Sequence, residues 1–197
     1  MKTIVIACQK GGVGKSTLAL NLLVEAVSRG ISAIVWDQDS QGTFDSYSQD
    51  REQKHGQCLP FVTERPRAGA SDLLIIDTAP HANAELPRIF SGADLVLVPS
   101  RISKADRRSA QTTLDVGRRI NVAMAAVLMV SDDRSPELTE ARSWLEEQDV
   151  PLAGLIHQRV DIARAGDQGL GISELLPKHL GSLEFRRIAD YAFKMIV

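Results

Sequence analysis

The chain has 197 residues, enough for one substantial domain. Apolar and charged contents of 44% and 24% are ordinary for a globular protein, and a net charge of −2 excludes a globally basic nucleic-acid binder, so any DNA contact must come from a local patch. Two cysteines, Cys8 and Cys58, with no C-x-x-C pair argue against metal or redox chemistry, and no apolar run approaches the roughly 18 residues of a membrane span. The N-terminus lacks a secretory pattern, which makes the cytoplasm the expected location.

Lys2–Cys8 reads as a buried strand through Thr3-Ile4-Val5-Ile6-Ala7. Gln9-Lys10-Gly11-Gly12-Val13-Gly14-Lys15-Ser16-Thr17 follows, and then Leu18–Ala26 with helical periodicity, continuing to about Arg29 with Gly30 as the stop. Strand, glycine-rich turn and helix is the setting of a phosphate-binding loop. Gly11, Gly12, Val13, Gly14, Lys15, Ser16 and Thr17 are the expected cradle. The glycines let backbone N–H groups turn inward, and the helix start adds free N–H groups and its dipole. Lys15 would place charge on the β- and γ-phosphates, and the Ser16 hydroxyl would face Mg²⁺. Two positions stand out. The general pattern wants Gly where this chain has Gln9, and Lys10 is one cation more than a single nucleotide site needs.

Ile31–Trp36 is a second buried strand ending on Asp37, and Gln38–Gly42 is a polar turn. Residues 43–71 are the least regular part, with a short helix expected near Phe44–Gln49, a solvated charged run over Asp50–His55, and a short strand over Cys58–Val62. Leu73–Ile76 is a strand ending at Asp77, with Thr78-Ala79-Pro80-His81 after it. A short helix over Ala84–Gly92, a strand over Leu95–Val98 closed by Pro99, and a helix over Ser103–Arg119 with Ser103 as N-cap come next. Ala123–Val130 is a strand, Glu137–Gln148 a helix and Leu152–His157 the last strand. Asp161–Gly169 and Ser173–Leu176 are helical turns, and Ser182–Ile196 closes the chain with an apolar stripe. Apolar strands alternating with helices predict a single α/β domain over residues 1–197, a mostly parallel sheet flanked by helices on both faces.

In such sheets ligands bind at the carboxyl ends of the strands, where the loop, Asp37, Asp39 and Asp77 all fall. An acid closing a run of apolar residues, as Asp77 does, is the second element of a phosphate-loop ATPase and supports the Mg²⁺ shell. Its successor is Thr78, which cannot serve as a base, so water must be oriented by another group or hydrolysis must be slow. Asp37 and Asp39 can share a face of an extended stretch and look at the phosphates together. Asp37 is assigned to the metal and Asp39 to the water, although order along the chain does not fix which does which.

The stretches Gln9–Thr17, Asp37-Gln38-Asp39-Ser40-Gln41-Gly42 and Leu73–Pro80 together resemble the ParA-type partition ATPases of the deviant Walker-A class, over nearly the whole chain. Ile156-His157-Gln158-Arg159-Val160 and Gly169-Leu170-Gly171 also look like the C-terminal part of ParA-like proteins. The resemblance implies that Lys10 is the signature lysine, catalytic with Lys15 and Asp39, reaching the partner's phosphates across an ATP-sandwich homodimer. It also implies slow Mg-ATP hydrolysis, sequence-blind DNA binding by the ATP-bound dimer, nucleoid association, and stimulation by a ParB-like centromere-binding protein. ParA-like members often carry Gln at the position of Gln9. The chain leaves no room for an N-terminal helix-turn-helix domain and so resembles the short form.

Arg101, Lys104, Arg107 and Arg108 around one helix start, Arg118-Arg119 at its end, and Arg186, Arg187 and Lys194 on the last helix are candidate DNA contacts. Rival readings are a MinD-like membrane-cycling ATPase, which needs a free amphipathic C-terminal helix, an iron–sulfur carrier, disfavoured by the cysteines, and a nucleotide-switched scaffold with negligible turnover. The adenine pocket is expected near the segment after Val130 and the loop after Gln158.

Overall fold

Seven runs of apolar residues form strands β1 (Lys2–Ile6), β2 (Ala33–Asp37), β3 (Phe61–Val62), β4 (Leu73–Asp77), β5 (Leu95–Arg101), β6 (Met124–Val130) and β7 (Leu152–His157). All pair in parallel, in the order β3-β2-β4-β1-β5-β6-β7. The helices are α1 (Lys15–Ser28), α2 (Thr43–His55), α3 (Leu86–Phe90), α4 (Lys104–Ile120), α5 (Pro136–Glu147), α6 (Val160–Gly166), α7 (Ile172–Leu175) and α8 (Leu180–Ile196). The structure is a computed structural model that describes residues 1–80 and 84–196; His81, expected in the loop after β4, lies outside them.

Strand alternation distributes the core between the two faces. Ile4 and Ile6 of β1 join Leu18, Leu22, Leu23, Phe185, Ile188 and Ala189 on one face, while Val5 and Ala7 join Leu74, Ile76, Phe90, Leu114 and Leu138 on the other. Each fully buried Leu, Ile or Phe contributes about 1.5–3 kcal/mol. Helix α1 is buried continuously from Leu18 to Ala26, as its nearly all-apolar sequence requires. The apolar stripe of α8, from Phe185 through Ile196, is likewise consumed by the core.

Several expected boundaries move. Helix α2 runs to His55 and takes in the charged run Asp50–His55, because Phe44 and Ser48 anchor its buried side while the charges stay outside. Strand β5 passes through Pro99 and ends at Arg101. Proline is tolerated there because β1 leaves the ladder at Leu97, so the missing N–H has no partner strand to serve. Helix α8 begins two residues earlier than expected, at Leu180. The α3 turn is trimmed at both ends, α6 starts one residue earlier and stops three earlier, and α7 shifts one residue earlier.

β1 sits between β4 and β5, and the chain leaves its carboxyl end into the glycine-rich turn. That end is the crevice in which a doubly wound sheet binds its ligand.

Candidate functional site

The loop after β1 has the backbone that a phosphate cradle needs. Gly12 and Gly14 have φ of +69° and +88°, in the left-handed region where a side chain is strained. Gly14 caps α1, whose first bond is Leu18 N–H to the Gly14 carbonyl at 2.9 Å. Lys15 is buried and donates from Nζ to the Lys10 carbonyl at 3.3 Å, which holds its charge over the loop. Arg101, counted above among the DNA candidates, donates from Nη2 to the Gly12 carbonyl at 2.9 Å, so it belongs to the rim of this loop.

Parallel register brings the acids alongside. Asp77 stands level with Ile6 on one side and with Asp37 on the other. It is fully buried, and neither of its oxygens has a hydrogen-bond partner among the described residues. Burial pushes its pKa up to about 7, a rise tempered by the Ser16 hydroxyl and increased by Asp37. An orphaned carboxylate beside the Ser16 hydroxyl, with Lys15 close by, suits a divalent cation that takes its remaining ligands from water and phosphate oxygens. Among the described residues, no three His, Cys, Asp or Glu side chains converge as a self-sufficient protein cage. The position fits a magnesium ion, which Ser16 and Asp77 would hold.

Asp37 and Asp39 are not related as expected. The strand ends at Asp37, and residues 38–42 turn, with Gly42 N–H bonded to the Asp39 carbonyl at 3.1 Å, so the shared face of an extended stretch does not exist. Asp37 is buried and accepts the N–H groups of Asp39 (2.9 Å) and Phe44 (3.3 Å), which ties the turn to the start of α2. Burial raises its pKa, against the pull of those two N–H groups. Asp39 is half-buried and accepts from Gln41 N–H at 3.0 Å, which leaves its second oxygen available. Thr78 is buried, with its hydroxyl donating to the Ile6 carbonyl at 3.0 Å, and is unavailable for proton transfer. Gln9 brings another group without a partner among the described residues, its buried Nε2.

Lys10 is folded back onto its own subunit. Its Nζ lies 2.5 Å from Oδ1 of Asp106, in the first turn of α4. Nothing in the sequence singled out Asp106, although Ser103-x-x-Asp106 is a helix-start pattern. Burial opposes ionisation of Asp106, but Lys10 and Ser103 outweigh it and hold its pKa below the usual carboxylate range.

Beyond the loop lies a cavity of about 600 Å³ whose apolar wall is Val13, Leu20, Met129, Ile156, Ile162 and Phe185 and whose polar side is Tyr47, His157, Gln158 and Arg159. Its size and lining suit a nucleoside base. The loop after Gln158 lines it, as expected; the segment after Val130 does not, and meets it only indirectly through Asp133, which holds the lining His157 at Nε2 (2.6 Å). Glu184 of α8 takes His157 Nδ1 at 2.7 Å and Arg159 at 2.6 Å. Tyr47, Met129 and Phe185 left no motif in the sequence, because apolar contact with a base has no required spacing. Helix α2 closes the cavity's side: Arg51 binds the Gly169 carbonyl (3.1 Å) and Glu174 (2.8 Å), and Lys54 donates to the Asp167 carbonyl.

Several of the candidate DNA contacts are engaged within the chain. Arg107 pairs with Glu140, Arg118 binds Asp115 and Gln148, and Arg186 donates to the Pro177 carbonyl. Lys104, Arg108, Arg187 and Lys194 are exposed. No helix of the described residues is long and apolar enough to cross a membrane.

The family model for the CobQ/CobB/MinD/ParA nucleotide binding domain matches residues 4–172. The protein ParA of Rhizobium radiobacter is 27% identical over 168 residues, covering 77% of this chain and 76% of its own. The fold matches MinD, the septum site-determining protein of Pyrococcus horikoshii complexed with Mg-ADP, at a TM-score of 0.73 and 19% identity over 98% of this chain and 96% of that one. It also matches a plasmid partition protein from Borrelia burgdorferi at 0.69 and 17%, over 99% of both chains. With a glycine-rich phosphate loop, a magnesium-ready acid and a base-sized cavity on one sheet edge, and a family model spanning most of its length, this chain belongs to the CobQ/CobB/MinD/ParA family of nucleotide-binding ATPases.

Proposed function

We propose that residues 1–197 work as one deviant Walker-A domain of the partition type: a Mg-ATP-switched homodimer that binds DNA without sequence preference and is reset by slow, partner-stimulated hydrolysis. The observation that carries this reading is the second loop lysine. Lys10 lies on the rim of the phosphate loop with its side chain 44% exposed, whereas Lys15 is buried and committed to the same subunit's loop. A second cation on the rim is suited to neutralise charge developing on a nucleotide bound in a facing copy. Lys15 and the N–H groups of Gly11–Thr17 hold the phosphates; Ser16 and Asp77, with Asp37 beside them, hold magnesium, which supplies charge neutralisation at the phosphates; Asp39 orients water. With Thr78 locked to the Ile6 carbonyl, no strong base follows Asp77, consistent with slow turnover.

For the DNA step, exposed Lys104, Arg108, Arg187 and Lys194 offer phosphate contacts without base readout. A centromere-binding protein of the ParB kind is the partner that this cycle needs, and the cytoplasm, with nucleoid association in the ATP state, is its place. The similarity to the ParA of Rhizobium radiobacter supports partition. A membrane-cycling role has less support, since the apolar stripe of α8 is buried against α1 and β7. Co-sedimentation with DNA across a salt series tests the proposal: binding should require ATP and weaken steeply with salt. ATP-independent binding, a flat salt response, or ATP-dependent sedimentation with liposomes instead would refute it.

A further inference from the structure

The ion pair between Lys10 and Asp106 ties the phosphate loop to the first turn of α4. Lys10 Nζ sits 2.5 Å from Asp106 Oδ1, and the Asp106 side chain is only 5% exposed. The other oxygen, Oδ2, accepts the Ser103 hydroxyl at 2.5 Å, and Ser103 Oγ in turn accepts the Asp106 N–H at 3.3 Å. Asp106 is thus fixed by its own helix cap, and the flexible partner is Lys10. The nearest other cation is Arg101, which is already spent on the Gly12 carbonyl. If Lys10 swings out of the subunit, a buried carboxylate loses the cation that is hydrogen-bonded to it. Such a charge resists being left alone.

We propose that Asp106 is a positioning residue that parks Lys10 inside its own subunit and sets the threshold for ATP-dependent dimerisation. The proposal rests on the trans role given to Lys10 above. A closed two-fold dimer needs both lysines released, so the latch enters twice. If each pair holds Lys10 parked about twofold over free, as a half-exposed ion pair can, the dimer's Kd is raised about tenfold. The same contact links the nucleotide state to the first turn of α4, where exposed Lys104 and Arg108 stand.

Asp106→Asn keeps the shape and the Ser103 contact while removing the charge. Its dimerisation is read by sedimentation velocity of the full chain with a non-hydrolysable ATP analogue, alongside Lys10→Ala and the double variant. Asp106→Asn should dimerise about tenfold more tightly than wild type, and the double variant should stay monomeric like Lys10→Ala. A residue that only supported the fold would shift the Kd the other way. An unchanged or weaker dimer from folded Asp106→Asn, with Lys10→Ala monomeric, overturns the latch and leaves the trans role standing. A normal ATP-dependent dimer from Lys10→Ala overturns the trans role itself. Amine acetylation of the wild-type apo chain, mapped by mass spectrometry, keeps the test independent of the variant's folding. Lys10 should react several-fold more slowly than exposed Lys104, and equal rates would sink the latch.

Discussion

The two ends of the nucleotide crevice are built on opposite principles. At the phosphate end, polar groups are left short of partners: both Asp77 oxygens and Gln9 Nε2 are buried and, among the described residues, unpaired. At the base end, charge is mostly settled within the chain, although Arg159 Nε lacks a partner among the described residues. His157 lies between Asp133 and Glu184, Arg159 binds Glu184, and Arg51 binds Glu174. Unsatisfied buried groups are costly, so the phosphate end is held in readiness for charges it does not itself contain. The base end needs only shape, and its apolar wall can be complete before any ligand arrives.

Removing the central cation of the phosphate end should have the largest effect. Lys15→Ala should weaken ATP binding by more than about a hundredfold in calorimetric titration, since a charge-assisted contact to phosphate is lost and the other loop cations, Lys10 and Arg101, are engaged elsewhere. Binding within tenfold of wild type would mean that the two ends are not divided as described.

Asp77→Asn should come next. It should lower magnesium-dependent hydrolysis by about a hundredfold, and it should also change how the apo chain responds to pH. Asp77 has a pKa raised to about 7, so between pH 4 and 7 the folded state holds a proton that the unfolded chain has released. Stability from this group is therefore fully present below pH 4 and is lost as pH rises through 7, by up to about 4 kcal/mol. Asn carries no such slope, so the variant should melt higher than wild type at pH 8 in the absence of nucleotide and metal. An unchanged melting profile across that window would show that the carboxylate has a partner after all.

At the base end the expected effect is smaller and mechanical. Gly169 has φ +66°, and a Cβ built on it lies 2.1 Å from the Tyr47 carbonyl oxygen. Gly169→Ala should push α2 off the cavity, destabilise the fold by about 1–3 kcal/mol, and raise the nucleotide Kd several-fold while leaving the turnover of bound ATP near wild type. Equal losses in binding and turnover would erase the distinction between the ends.

The sequence showed the phosphate end more plainly than the base end, for a physical reason. A phosphate cradle needs glycines at fixed positions, a lysine and a hydroxyl in succession, and acids at strand ends, and each requirement leaves a letter at a spacing. Gly12, Gly14, Lys15, Ser16 and Asp77 were all readable in this way. Asp37 and Asp39 were found as residues but misjudged as geometry, because strand alternation was extended past the residue where the strand stops. The base end draws Leu20, Tyr47, Met129, Ile156, Ile162 and Phe185 from six separate elements. Each is indistinguishable in sequence from an ordinary core residue.

By itself the sequence determined the parallel α/β architecture, because uninterrupted apolar strands must be covered on both faces. It also determined the phosphate loop, because backbone conformation dictates glycine locally. Only the tertiary structure decided the strand order that sets Asp77 level with Asp37, the seat of α2 against residues 166–171, and the partner of Lys10. Those are contacts between residues far apart in the chain. They depend on how helices and strands pack, and no local spacing records them.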